Sequence, residues 1–364
     1  MSNITFLYSW SSDDTTAWSG TPAALRKALE NKGAVRTLNV TKSAKTRLGA
    51  AARMLFLPKR DFHTAQRVLD QDYSKNADTN YLSFGEYTSS AVGRTYCYQD
   101  LSVDFLLRHL KNETSGYRYL PTWQRWLFSV GLRAKRKNAA AFYRDCGGVF
   151  TMSEWLREDL IQNTGLSPDK VHHVGGGCSI DCSLITDTPK NGNKFLFVGK
   201  DFKRKNGELV VAAFKELQKK FPEKKVELYI AGPTEIPKSI QGQKGITFLG
   251  RLSHEELAAW YNLCDYFVMP SRFEAYGLVF AEALTFSLPC IGKNCFAMPE
   301  FIEDGKNGYL IEKDDVQELA AAMEKLLLNG RQMAEQLKEN REYYLQTYSW
   351  DTVAERILKI MEAK

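Results

Sequence analysis

The sequence predicts an α/β protein built from two doubly wound, mainly parallel sheets. Three observations carry that expectation. The 364 residues, 44% hydrophobic and 25% charged, can bury a sizeable core, and at about 150 residues per domain they make two. Short apolar runs alternate with amphipathic stretches, the pattern of strand–helix crossover units. The texture also changes near residue 175, where Val174-Gly175-Gly176-Gly177-Cys178 reads as a hinge. Disorder, collagen and coiled coil are excluded by the same composition.

In the first half, Ile4–Tyr8 is an apolar run suited to a strand, and Ser9–Gly20 is a polar loop. Thr21-Pro22 starts a helix, with Thr as N-cap and Pro in the first helical position, and Gly33 ends it. Ala34–Val40 completes a βαβ unit. Tyr81–Phe84, Thr95–Tyr98 and Gly148–Met152 are further strands, while residues 42–75 and 100–145 read as helical. In the second half, strands are expected at Phe195–Gly199, Val226–Ala231, Ile246–Leu249, Tyr266–Met269, Pro289–Ile291 and Tyr309–Ile311. The helices between them are Gly207–Lys220, His254–Asn262, Gly277–Phe286 and Val316–Leu328. The expected domains are 1–175, 176–345 and a C-terminal helix, 346–364. Two such sheets facing each other make a cleft at the carboxyl ends of their strands, where ligands bind in this architecture.

No stretch approaches the ~20 apolar residues of a membrane-spanning helix. The start MSNITFLYSWSSDD has neither the basic nor the apolar region of a secretory signal, so a cytoplasmic protein is expected. The seven cysteines form no C-x-x-C pair and read as thiols in a reducing compartment. Cys178 and Cys182 beside His172 and His173 match no zinc spacing, so no metal is expected.

The net charge of +6 hides an asymmetry. Residues 1–175 carry 24 Lys and Arg against 16 Asp and Glu, and residues 176–364 carry 25 against 27. Two basic segments interleaved with aromatic and aliphatic residues, Lys42–Arg60 and Arg118–Arg144, supply most of the excess. Such segments suit an anionic membrane surface, at the inner face of a bilayer for a cytoplasmic protein. Amphipathic helices with solvated basic faces give the same composition. No motif supports nucleic acid.

The most informative segment is Pro270–Glu282, PSRFEAYGLVFAE. It puts Glu274 in a strand-to-helix loop and Glu282 within an otherwise apolar helix, where a carboxylate needs a hydrogen-bonding partner or a wet cleft. Gly277 opens that helix, whose free amides and positive dipole end can hold phosphate or a sugar hydroxyl. Gly199–Gly207, GKDFKRKNG, is a basic loop after a strand, with Lys200, Lys203, Arg204 and Lys205 able to neutralise a diphosphate. A solvated turn is the plainer reading of that loop taken alone. Carboxylates, cations and a helix start together fit a nucleotide sugar.

The second half resembles the retaining GT-B glycosyltransferases of family 4. The resemblance runs through Val198-Gly199, Lys205, Gly207, Gly250-Arg251-Leu252-Ser253, Pro270-Ser271-Arg272, the E-x7-E pair Glu274 and Glu282, Pro299-Glu300, Gly305 and Gly308. It implies that Glu282 binds the donor ribose, that Glu274 serves the transferred sugar, and that amides of Ala275, Tyr276, Gly277, Leu278 and Val279 contact sugar and diphosphate. Lys205 would sit on the diphosphate with Lys200 and Arg204 beside it, and Gly250 and Arg251 would belong to the donor side. Lys200 stands where many members have Arg, and Asn206 where glycine is common. In the first half, Trp18-Ser19-Gly20-Thr21-Pro22 is similar to the family's glycine loop, which brings Gly20 near the donor diphosphate. Val149–Met152 with Ser153-Glu154 looks like the last strand of the first domain and its polar end. Many members carry a histidine after a mid-domain strand; here Asp100 or Gln99 stands there, and His109 lies further on in helix-forming sequence. The C-terminal helix commonly crosses back to the first domain in this fold.

The resemblance implies a retaining hexosyltransferase that moves a sugar from a nucleotide diphosphate donor, a UDP-sugar first among them, to a glycan, lipid-linked or protein acceptor. Glu274, Lys205 and Asp100 are its expected catalytic residues. No cofactor is expected, because protein cations do the work of Mg2+. A non-catalytic GT-B partner subunit that binds a glycan or glycoprotein is the alternative, favoured by the missing histidine. A GT-B phosphorylase or sugar-nucleotide epimerase fits the fold but not the E-x7-E pair.

Overall fold

The computed structural model describes residues 3–8, 20–33, 35–39, 67–76, 78–86, 94–110, 122–235 and 241–363. The basic segment Lys42–Arg60, residues 111–121 and the pair Trp18-Ser19 lie outside them. The chain divides into two compact units, Met1–Gly176 with Trp350–Lys364, and Gly177–Ser349.

The first unit contains β1 (Asn3–Tyr8), α1 (Thr21–Glu30), β2 (Val35–Asn39), α2 (67–73), β3 (Thr79–Phe84) and β4 (Thr95–Gln99). It continues with α3 (Val103–His109), α4 (Thr122–Asp145), β5 (Gly148–Thr151), α5 (Glu154–Gln162) and β6 (Val171–His173). The strands form one parallel sheet in the order β2-β1-β3-β4-β5-β6. Fully buried Leu7, Tyr81, Tyr98, Phe142 and Phe150 belong to its core, as expected of strands covered on both faces.

Two readings of this half need correcting. The N-cap of α1 is Gly20, at φ 84°, and Thr21 and Pro22 are already inside the helix. A left-handed cap residue is cheap only for glycine, so Gly20 rather than the Thr21 hydroxyl sets the helix start. Ser153 does not end the last strand. Its side chain accepts the Leu156 amide at 3.2 Å and caps α5, and the last strand is β6, a three-residue piece beyond it. A strand this short, with two histidines in it, leaves no apolar run to read.

A helix from the far end of the sequence, α12 (Trp350–Glu362), belongs to this first unit. It buries Val353, Ala354, Ile357 and Met361 and packs against α1. Arg356 donates to the Val174 carbonyl at 3.0 Å, and the Trp350 ring lies 6.5 Å from Tyr98.

The second unit holds β7 (Lys194–Val198), α6 (Gly207–Lys220), β8 (Glu227–Ala231), β9 (Ile246–Gly250), α7 (His254–Leu263) and β10 (Tyr266–Val268). After them come α8 (Leu278–Thr285), β11 (Cys290–Lys293), α9 (Met298–Phe301), β12 (Gly308–Ile311), α10 (Val316–Glu339) and α11 (Arg341–Thr347). Its parallel sheet has the order β12-β11-β10-β7-β8-β9. The chain therefore runs outward from β7 to one edge, then returns to β10 and runs to the other. The loops after β7 and β10 flank that reversal, the place where a doubly wound sheet opens a ligand crevice. Helix α10 runs eleven residues past Leu328, through Gly330. A Cβ at Gly330 would come within 2.4 Å of the Tyr266 ring, so this glycine is a packing contact and not a helix stop.

Candidate active site

The loop after β7, Gly199–Asn206, and the loop after β10, Met269–Gly277, are joined backbone to backbone. Arg272 N donates to Arg204 O at 2.9 Å, and the Arg272 guanidinium donates to Lys203 O at 2.7 Å. Asn206 Nδ2 reaches Pro270 O at 3.2 Å, and Ser271 Oγ bonds Phe273 O at 2.9 Å. Asn206 caps α6 at φ 63° and is fully buried. Asparagine tolerates the left-handed region, so it can fill a position where glycine is common in the family. Gly199 makes room for the functional side chain, since a Cβ there would lie 2.2 Å from Lys205 Cδ.

That packing directs Lys205 inward. Its residue is 9% exposed and its Nζ lies 3.2 Å from Glu274 Oε2 and 3.2 Å from Met269 Sδ. Arg204 approaches the same carboxylate oxygen at 3.5 Å and also bonds the Phe273 carbonyl. The basic loop and the first glutamate thus form one cluster, with Glu274 just before α8 and Asp201 of the same loop 3.6 Å from the Arg204 guanidinium.

Glu282, on the second turn of α8, is 5% exposed. Its Oε2 accepts the Tyr261 hydroxyl from α7 at 3.1 Å. Burial pushes its carboxyl up to about 7, while the Tyr261 hydroxyl, the Ser179 backbone amide and the Lys205 charge pull the other way. Tyr261 and Ser179 were not identified from the sequence. They come from a helix and a loop remote in sequence, and the only signal was that Glu282 in an apolar stretch needed partners. Ser179 Oγ is buried without a hydrogen-bond partner, as is Asn206 Oδ1. Unsatisfied buried polar atoms of this kind cost stability unless a ligand or water meets them.

Gly277 caps α8 at φ 102°, and a Cβ there would come 2.9 Å from the Phe280 ring and 3.2 Å from Glu274 Cγ. Only glycine fits, and the first-turn amides of α8 keep the positive end of the helix beside Glu274. Ala275, Leu278 and Val279 are partly exposed, whereas the Tyr276 side chain is buried against Phe301 at 4.9 Å. Tyr276 can therefore offer a ligand its backbone and not its ring.

Three further expected residues belong to this unit. Lys200 is exposed. Gly250 ends β9, the edge strand two positions from β7, at φ 68°, and Arg251 after it is exposed. Gly20 and Asp100 belong to the other unit. Asp100 directly follows β4 and is partly exposed, while Gln99 is fully buried and donates to the Tyr143 hydroxyl at 3.1 Å. His109 is 8% exposed, stacks on Phe105 at 5.3 Å, and has its pKa lowered by burial. Among the described residues, no three His, Cys, Asp or Glu side chains are grouped to hold a metal, and no helix is long and apolar enough to cross a membrane.

Comparison with known proteins places these residues in a family context. Residues 185–344, which include Lys200 to Lys205, Glu274 and Glu282, match the family described as glycosyl transferases group 1. A curated relative, an uncharacterized glycosyltransferase of Methanocaldococcus jannaschii, is 28% identical over 173 residues, 46% of this chain and 47% of that protein. The chain thus spans about half the length of this relative. Among solved structures, sucrose-phosphate synthase from Thermosynechococcus elongatus superposes with a TM-score of 0.74 at 15% identity, covering 100% of this chain and 99% of that one. The Anabaena protein HepE, solved in complex with UDP-glucose, gives 0.65 at 12% identity over 100% of both chains. At such identities the likeness concerns the fold, which is GT-B.

Proposed function

Residues 185–344 match the glycosyl transferases group 1 family, and from that match we propose that the chain is a retaining hexosyltransferase. It moves a sugar from a nucleotide diphosphate donor to a hydroxyl of a glycan, lipid-linked or protein acceptor. The observation that carries this reading is the convergence at one sheet reversal of buried Lys205, its ion-pair partner Glu274 and buried Glu282.

In this reading Glu282 accepts the ribose hydroxyls, helped by Tyr261 and Ser179. Lys205, with Arg204 and Lys200, neutralises the diphosphate as it leaves, and the amides at the start of α8 add to that field. Charge that grows in the transition state meets donors already in place, which is where such a site gains most of its rate. Glu274 positions the transferred sugar and Asp100 serves the acceptor. The acceptor oxygen attacks on the face from which the diphosphate departs, so configuration is retained without a protein nucleophile. These cations take the part that Mg2+ plays elsewhere, and no cofactor enters. A UDP-sugar is the preferred donor, supported by the UDP-glucose held by the structurally similar Anabaena protein.

A membrane-surface acceptor is supported by α4. Its exposed positions Trp123, Trp126, Arg133, Lys137 and Arg144 recur at helical spacing along one face, and the two tryptophans are 62% exposed. Leu132, Ala139, Phe142 and Tyr143 are buried on the other. Tryptophan with Lys and Arg suits an anionic bilayer surface, at the cytoplasmic inner face in this reading. Arg136 and Arg144 are not free for that role, being paired with Asp104 at 2.5 Å and with Asp145 at 2.8 Å.

A thermal-shift panel of UDP-, GDP- and dTDP-sugars tests the donor, with the largest rise expected for a UDP-sugar. A ligand at 100 times its dissociation constant adds ~2.7 kcal/mol to the folded state. The second reading, a glycan-binding GT-B subunit without activity, rests on Asp100 in place of the histidine. Donor hydrolysis by the purified chain decides against it.

A further inference from the structure

The seven cysteines are not equivalent. Cys97, Cys146, Cys264 and Cys290 are buried; Cys295 is partly exposed, as is the pair Cys178 and Cys182. Both of these thiols donate to one acceptor, the Ile180 carbonyl, at 3.5 and 3.7 Å. With both sulfurs on one carbonyl, each affects the other: Cys178 draws the Cys182 thiol down, while Cys182 and burial hold the Cys178 thiol up. Burial pushes Cys97, Cys264 and Cys290 up, and Cys295 up to about 12. A partly exposed thiol with an easily formed thiolate, beside a second thiol that can resolve it, is the arrangement that oxidises selectively.

The loop between the two sulfurs is also part of the donor site. Ser179 lies within it, and its backbone amide favours the charged form of the Glu282 carboxyl, whose charge both thiols feel. Cys178 N donates to Tyr348 O at 2.7 Å, which fixes the near end of the loop, and Cys182 begins a short 3-10 turn that fixes the far end. A bond drawn across the loop must therefore be absorbed by Ser179, Ile180 and Asp181.

We infer that Cys178 and Cys182 are a redox-modification site, closed to a disulfide by a hydroperoxide, and that closure loosens the Ser179 amide from Glu282 and weakens nucleotide binding. The Cys182 thiolate attacks the peroxide, breaks its O–O bond and releases an alcohol or water, leaving a sulfenic acid. The Cys178 thiol then displaces hydroxide from that sulfur, forming the S–S bond and, with its proton, a second water. Two thiols are oxidised and one peroxide is reduced. A reductant thiol reverses the step.

The clause about nucleotide rests on the function proposed above, so the test reads chemistry, backbone and binding separately. The reduced full-length chain is treated with hydrogen peroxide, alkylated and digested with trypsin. Cys178 and Cys182 share one tryptic peptide, Val171–Lys190, which holds no other cysteine. The expected product is that peptide two hydrogens lighter and unalkylated, restored by dithiothreitol and absent in Cys178→Ser and Cys182→Ser. Faster amide hydrogen exchange in the segment containing Ser179 is expected in the oxidised form. UDP-glucose should bind about tenfold more weakly, the scale of one hydrogen bond to a charged group, with both serine variants indifferent to peroxide. An unlinked peptide under conditions that alkylation shows to oxidise Cys182 overturns the site, and unchanged exchange overturns its coupling to Glu282. Failure of the reduced protein to bind any nucleotide sugar would instead strike the proposed function, leaving the peptide and exchange results to stand.

Discussion

The Lys205 ammonium lies 3.2 Å from the Glu274 carboxylate, and the lysine is almost wholly shielded from solvent. A buried pair of this kind repays its desolvation poorly as a source of stability. In the proposed reading its use is to hold a cation at a fixed place until a diphosphate competes for it. Removing either partner therefore changes the charge that a ligand meets, and the two glutamates should fail in different ways.

Glu282→Ala should weaken UDP-glucose binding by about tenfold or more, because a buried acceptor for the ribose is lost. Glu274→Ala should leave affinity nearer normal and lower turnover. Calorimetric titration and steady-state rates on both variants check this, and unchanged values in both would refute the assignment.

Lys205→Ala should lower kcat by ~10^2-fold, the usual cost of losing one preorganised transition-state donor. Lys200→Ala should cost less, since Lys200 is exposed and its charge is screened by water. Rates at saturating donor compare the two.

The affinity for UDP-glucose should rise with pH through about 7. Burial holds the Glu282 carboxyl up to that value, so below it the proton occupies an oxygen that the ribose needs. Above it the carboxylate can accept both hydroxyls, and the affinity levels off. The same shift has the opposite sign for stability: a carboxyl with a raised folded pKa favours the folded state most at low pH, and that contribution fades as pH climbs to about 7. Glu282→Gln should flatten both profiles, read by titration calorimetry and by urea denaturation from pH 5 to pH 8.

Asp100→Asn should reduce transfer while donor binding persists, because Asp100 sits just past the carboxyl end of β4. His109→Ala should lower the melting temperature more than the rate, since the ring is packed on Phe105. The reverse pattern would return the catalytic part to the histidine.

Docking through α4 should make vesicle sedimentation depend on anionic lipid. It should disappear at 1 M salt, where the Debye length is ~3 Å, and in the double variant Arg133→Ser and Lys137→Ser.

The second unit was legible in the sequence because its buried strands, such as Phe195–Val198 and Leu228–Ala231, are continuous apolar runs between helices of ordinary length. Glu282 could be read for a related reason, a charge in apolar surroundings, and Glu274 through its place in a strand-to-helix loop. What escaped notice has little apolar length or depends on distant chain. Helix α5 buries only Leu156, Asp159 and Leu160 of its nine residues. The Tyr261 hydroxyl gives no local hint that it faces Glu282, and the turning of the Cys178 and Cys182 thiols onto one carbonyl belongs to a loop without regular pattern. At Gly20 the left-handed geometry, not the neighbouring threonine, makes the cap.

The return of α12 to the first unit orders the birth of the protein. Residues 177–349 form the second unit as one uninterrupted segment, whereas the first unit is assembled from pieces on either side of it. On the ribosome, the second sheet can be synthesised whole and fold while the first still lacks Val353, Ala354, Ile357 and Met361 from beside α1. The first unit thus waits, with apolar surface of α1 uncovered, until the segment 350–363 emerges. A stall or a stop codon anywhere between residues 177 and 349 leaves an orphaned first unit, a natural client for a chaperone.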